Sequence, residues 1–138
     1  MAMNVKAQSM FIPGTEAIET AANDVFTWIV DKHMQIRDIS VVVGEAAVVA
    51  TSTAPVFSLD HTPVGGARTE KATLSVADTT ALGTEVTASE SSGVAWAPFM
   101  VEEGDILYFE HKTAGAGGSS AGTVNFLLYF DHWPKGDI

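Results

Sequence analysis

Apolar and polar residues alternate with a period of two through most of this chain, the pattern of strands that bury one face. The clearest run lies near the C-terminus. Val124, Phe126, Leu128 and Phe130 fall on one face, and Leu127 and Tyr129 on the other. A second run follows Glu102-Glu103-Gly104-Asp105, a turn by its acids and glycine. There Ile106, Tyr108 and Glu110 face one way, and Leu107 and Phe109 the other. A Gly-, Ala- and Ser-rich loop over residues 113–122 separates the two runs. Strands adjacent in sequence tend to be neighbours in space, so these two are expected to form an antiparallel pair at the heart of the molecule.

Upstream, residues 25–30 are aromatic and β-branched and predict a strand, with Asp31-Lys32-His33 as its turn. Residues 34–43 predict a longer strand whose alternation is imperfect. Ile39, Val41 and Val43 point one way and Met34, Ile36 and Val42 the other, as in a strand covered on both sides over part of its length. Residues 46–51 are small and apolar and predict another strand, and residues 53–59 the next, with Val56 and Phe57 as core candidates. Asp60-His61-Thr62-Pro63-Val64-Gly65-Gly66 reads as a loop from its Pro and Gly-Gly. Residues 69–76, 84–88 and 94–100 complete the extended segments. They are broken by a turn at 77–83 and a polar tip at 89–93, and Pro98 marks an edge or bulge. About eight short strands with turn signals between them and almost no helix predict an all-β, antiparallel sandwich or barrel.

Residues 1–24 read as an N-terminal arm. Met10-Phe11-Ile12-Pro13-Gly14 is a short apolar strand stopped by a Pro-Gly turn. Residues 15–22 suit one or two helical turns, with Thr15 as cap and Glu16 in the first turn. Two arrangements fit this segment: a strand and turn folded onto the domain, or an arm laid on a neighbouring subunit. The expected division is thus an arm over 1–24, a sandwich over 25–131 and a C-terminal tail over 132–138.

Length adds that one domain is expected for 138 residues. Cysteine is absent, which excludes disulfides, thiolate nucleophiles and Cys-ligated zinc. The net charge is −10, from 17 acidic against 7 basic residues. Such a surface repels phosphate backbones and anionic lipid, so no nucleic-acid partner is expected. No apolar run approaches the ~20 residues of a membrane span. The N-terminus lacks the basic-then-apolar order of a secretory signal. The expectation is synthesis in a cytoplasm and no membrane partner.

Candidate chemistry changes this picture little. Of His33, His61, His111 and His132, three directly follow an acid. Neighbours on a strand point to opposite faces, so such a dipeptide does not aim both side chains at one ion. These histidines are expected to be exposed at strand ends, with no metal and no cofactor. No serine sits in Gly-x-Ser-x-Gly. Gly117-Gly118-Ser119-Ser120-Ala121-Gly122 lacks the Lys and following helix of a phosphate loop. Glu102 and Glu103 are accounted for as turn residues. No catalytic residue is assigned, and the chain is not expected to be an enzyme. Trp28 is expected in the core. Trp96 beside Pro98, and Trp133 before Pro134, suit an interface. The contact candidates are Met10, Phe11, Ile12, Trp96 and Trp133.

Three stretches carry a resemblance: residues 74–86 (LSVADTTALGTEV), 101–107 (VEEGDIL) and 121–124 (AGTV). Together they resemble the small β-sandwich virion proteins of tailed bacteriophages, the capsid decoration or cement proteins and related head or fibre modules. The resemblance spans roughly residues 26–130 and does not reach the arm or the tail. It implies a jelly-roll-like sandwich, no catalysis, and attachment to the outside of a capsid shell. The implied partners are the major capsid protein and further copies of the chain, as a homotrimer. The implied location is the virion exterior. The alternative is a tail-fibre or receptor-binding module that stacks sugars on exposed tryptophans.

Overall fold

The computed structural model describes residues 6–19, 23–44, 47–118 and 122–132. Among them run β1 (Lys6–Ala17), β2 (Asn23–Ile29), β3 (Met34–Val43), β4 (Val56–Thr62), β5 (Thr69–Ser75), β6 (Glu85–Thr87), α1 (Ala88–Ser91), β7 (Phe99–Val101), β8 (Ile106–Thr113) and β9 (Thr123–His132). They form two antiparallel sheets. Sheet A has the order β1-β9-β3-β6, with β7 also on β3, and sheet B the order β2-β8-β4-β5.

The pairings are nested: β1 with β9, β2 with β8, β3 with β6 and β7, and β4 with β5. This is one long folded ribbon. Rolling it up adds the contacts β9–β3 and β8–β4 and produces a jelly roll. β6 pairs with Ser40–Val42 and β7 with Met34–Ile36, along the same edge of β3. They act as one strand interrupted by α1 and residues 92–98.

β8 and β9 do not pair, contrary to expectation. β8 lies between β2 and β4, and β9 between β1 and β3. They meet face to face across the core, with the Phe109 and Phe126 ring centroids 5.5 Å apart at 65°. The connection over residues 114–122 is long for a hairpin and suits a crossing between sheets stacked about 10 Å apart. The Val124-Phe126-Leu128-Phe130 face is buried as its alternation requires.

The uneven pattern of β3 has a single cause. Its register against β9 slips between Ile36 and Asp38, a β-bulge that inserts one extra residue. Met34 and Ile36 before the bulge, and Ile39, Val41 and Val43 after it, therefore all face the core and are fully buried. On the opposite face Ser40 is the one fully buried residue of the strand, bonded to Glu85, so cover on both sides is confined to the middle of the strand.

Four further differences follow from context. The stretch read as an arm is, over Lys6–Ala17, the edge strand of sheet A, paired to β9. It folds onto its own domain; of residues 15–22, expected as helical turns, 15–17 are strand and 18–19 a turn, and 20–22 lie outside the described residues. Of residues 46–51, expected as a strand, Ala46 lies outside the described residues and 47–51 join no ladder; Val48 and Ala50 are apolar because they are buried, and their backbones bond to Thr79, Thr80 and the Asp78 carboxylate. β4 starts three residues later than expected and runs through Asp60, His61 and Thr62, so the loop begins only at Pro63. The polar tip after residue 88 is the single helical turn α1.

Candidate functional site

At one end of the sandwich three turns converge: residues 30–33 after β2, 63–66 after β4, and 102–105 before β8. Asp105 ties them together. Its Oδ2 accepts from His61 Nε2 at 2.9 Å and from the Glu102 amide at 3.1 Å. Its Oδ1 accepts from the Val64 amide at 3.0 Å. Since a carboxylate only accepts, the His61 proton sits on Nε2. The backbone completes the knot: Val30 N–H donates to the Asp105 carbonyl and Gly104 N–H to that of Val30, both at 2.8 Å. Asp105 and His61 are both buried. Burial works to raise the Asp105 pKa, but the bonds from His61, Glu102 and Val64 outweigh it and hold the carboxyl below its ordinary value.

The knot displays apolar side chains to solvent. Ile29 is 66% exposed and Val64 71%. Ile29 lies opposite Ile106, and Ile106 opposite Thr62, so one row crosses β2, β8 and β4 on the outer face of sheet B. Gly104, at φ 95°, closes the turn beside them. That left-handed backbone suits glycine, and a Cβ there would stand 2.9 Å from Val64 Cγ2 and push that side chain aside. Apolar groups that stay exposed on a rigid frame mark contact surfaces more often than scattered ones do.

Behind this platform the outer face of sheet B is polar and closed on itself. Arg68 donates to Asp60 Oδ2 at 2.7 Å and to both Asp24 oxygens at 2.9 and 3.3 Å. Its guanidinium carbon lies 3.8 Å from the Tyr108 ring centroid, and Glu110 is 3.9 Å away. The carboxylates keep Arg68 protonated far beyond any working pH. Ser58 donates to Glu110, and Lys112 to Glu70.

Sheet A carries a groove of about 490 Å³ on its outer side, lined by Arg37, Asp38, Thr87, Ser89, Glu90, Tyr129 and Phe130. The bulge in β3 supplies Arg37 and Asp38, and α1 supplies Ser89 and Glu90.

The expected site residues are scattered. Met10 is half-buried and packs on the core. The backbones of Phe11 and Ile12 pair with Leu127 and Phe126, and their side chains lie outside what is described, as does Trp133 entirely. Trp96 is half-buried with its ring edge-on to Phe99 at 6.0 Å. Trp28 sits 6.4 Å from Phe130. The two tryptophans occupy opposite flanks, β2 at one edge of sheet B and the run before β7 at the far edge of β3, so they build no common platform.

The histidines also depart from expectation, since His61 and His111 are buried rather than exposed. His111 stacks on Phe57 with centroids 4.5 Å apart. Sequence reasoning missed Asp105 as a hub and Ile29 and Val64 as exposed apolar residues. One signal was present: Val64 stands alone among Pro63, Gly65 and Gly66, where a turn offers it nothing to pack against. Among the described residues no group of three His, Asp or Glu side chains is arranged to hold a metal ion.

No family model, no curated protein and no solved structure matches this chain.

Proposed function

We propose that this protein is a non-enzymatic structural component of a virion, a decoration protein that binds the outside of a phage capsid shell and works as a homo-oligomer. The observation that carries this reading is the platform of Ile29, Ile106 and Val64 on turns locked by Asp105. A docking surface that is already rigid loses little entropy on binding. An apolar centre with Glu102 and Glu103 near its rim has the anatomy of a protein contact. The jelly-roll strand order and the acidic, cysteine-free exterior agree with the resemblance read from residues 74–86, 101–107 and 121–124. Mechanistically, a protein that binds only the expanded shell stabilises that state by mass action, against the pressure of packaged DNA.

The test is made on particles. Purified virions are expected to hold the chain in many copies, and virions lacking it to lose infectivity on heating sooner than wild type. Particles that lack the chain and survive heating like wild type, or that normally hold it in only a few copies, would count against decoration.

A further inference from the structure

The geometry points to a second site that the decoration reading does not use: the groove of sheet A binds a neutral saccharide. It lies apart from the platform of sheet B, so the two readings stand or fall separately.

Three observations converge on the groove. It is large enough for one or two sugar rings at about 490 Å³. A β-bulge, a device that re-aims side chains beside functional sites, places Arg37 and Asp38 at its wall. A one-turn helix inserted between β6 and β7 supplies the opposite wall.

The supporting bonds fix its shape. Asp38 accepts from the amides of Ile39 and Ser89 and from the Ser89 hydroxyl, at 2.9, 3.1 and 2.5 Å. This joins the bulge to α1. Tyr129 donates its hydroxyl to Glu85 Oε2, which also accepts from Ser40 Oγ, both at 2.5 Å. The Tyr129 ring therefore has a set position, and its hydroxyl stays protonated, with a pKa pushed up to about 12 by Glu85.

The lining then selects the ligand class. Arg37, 57% exposed, spends one N–H on Asp131 and repels cations with the rest. Asp38 and Glu90 repel anions. What suits a guanidinium, two carboxylates and the hydroxyls of Thr87 and Ser89 at once is a neutral molecule that both donates and accepts many hydrogen bonds. Vicinal hydroxyl pairs match the planar fork of Arg and the paired oxygens of a carboxylate, and the half-buried Tyr129 ring offers apolar surface to C–H faces. Trp96, the earlier sugar candidate, lines the small hollow over residues 88–96 instead.

The test is an amide-resonance titration of the whole chain. The probes are lactose, maltose, cellobiose and diacetylchitobiose, with inorganic phosphate and arginine ethyl ester as charged controls. At least one disaccharide is expected to shift the amides of residues 37–38, 87–90 and 129–130 saturably, with Kd of roughly 1 mM or tighter. Glu90→Gln and Arg37→Ala are each expected to weaken that binding about tenfold while the spectrum stays dispersed; Glu90 is exposed, so its variant keeps the fold. The proposal is overturned if no disaccharide titrates these resonances, if only phosphate or the arginine ester does, or if Glu90→Gln binds like wild type.

Discussion

His61 Nε2 lies 2.9 Å from Asp105 Oδ2, and this buried bond joins the end of β4 to the turn that launches β8. Because Asp105 also accepts from Glu102 and Val64, Asp105→Ala removes three acceptor contacts at once and strands their donors. It is expected to destabilise the fold by about 2–4 kcal/mol, read by urea denaturation. His61→Phe, which keeps an aromatic ring there, though a larger one, and removes one donor only, is expected to cost less than Asp105→Ala. A loss under about 0.5 kcal/mol for Asp105→Ala would show that the knot is dispensable.

The same carboxyl sets an acid limb. The Asp105 pKa is lower in the folded chain than in the unfolded one. Its contribution to stability is therefore complete above the ordinary aspartate value of about 3.9 and is lost as pH falls through the folded value. Denaturation midpoints between about pH 5 and 2 are expected to fall less steeply for Asp105→Asn than for wild type. Parallel curves for the two proteins would contradict this.

Much of the sandwich was legible in local pattern, and what was not has physical causes. The alternation of Val124 to Phe130 is a property of one strand and needs no partner. The sheet each strand joins is a non-local choice: nothing in residues 106–130 says that β8 and β9 face each other rather than pair, because both arrangements bury the same faces. The β3 bulge hid in plain view, since one inserted residue changes the phase of alternation without changing composition. His61 was misplaced because Pro63 and the Gly-Gly behind it signal a loop, and the strand extends to Thr62 before that signal takes effect. The Asp105 knot was invisible because its donors, at positions 61, 64 and 102, meet only once the fold is closed. The apolar platform was visible only as an isolated Val64.

Tyr129 offers a spectroscopic check on sheet A. Its hydroxyl bond to Glu85 raises its pKa to about 12. With 2 tyrosines in the chain, ultraviolet titration of the Tyr108→Phe variant isolates it. The absorbance step is expected near that value, and Glu85→Gln is expected to bring it down. The sign for stability follows: the bond contributes fully below the unfolded tyrosine value of about 10 and is lost as pH rises through the folded one. A step near 10 in both proteins would refute the bond.

Arg68 bridges three strands of sheet B through Asp24, Asp60 and Glu110. The other oxygen of Asp60, Oδ1, is buried without a hydrogen-bond partner among the described residues, so this carboxylate depends on Arg68. Arg68→Ala is expected to cost about 2–3 kcal/mol. Arg68→Lys, which loses the fork and the stacking on Tyr108, is expected to recover less than half of that. Equal stability of wild type and Arg68→Ala in thermal denaturation would show that solvent replaces the guanidinium.

Across the core, Phe126 packs edge-on to both Phe57 and Phe109 and is almost fully buried. Phe126→Ala is expected to destabilise by about 3–5 kcal/mol, from lost burial and the cavity left behind. Phe126→Leu is expected to cost clearly less. Similar denaturation midpoints for Phe126→Ala and wild type would place β8 and β9 elsewhere than face to face.

The most direct test of the proposed docking platform is cosedimentation of the purified chain with expanded phage capsid shells that lack it, beside the double variant Ile29→Lys/Val64→Lys. Both changes lie on exposed side chains, so circular dichroism and melting temperature are expected to stay as in wild type. Wild type is expected to pellet with the shells, and the variant to bind about 100-fold more weakly, the equivalent of about 2.7 kcal/mol lost from two buried apolar side chains. Equal binding of the two proteins, or wild type left wholly in the supernatant, would contradict the account.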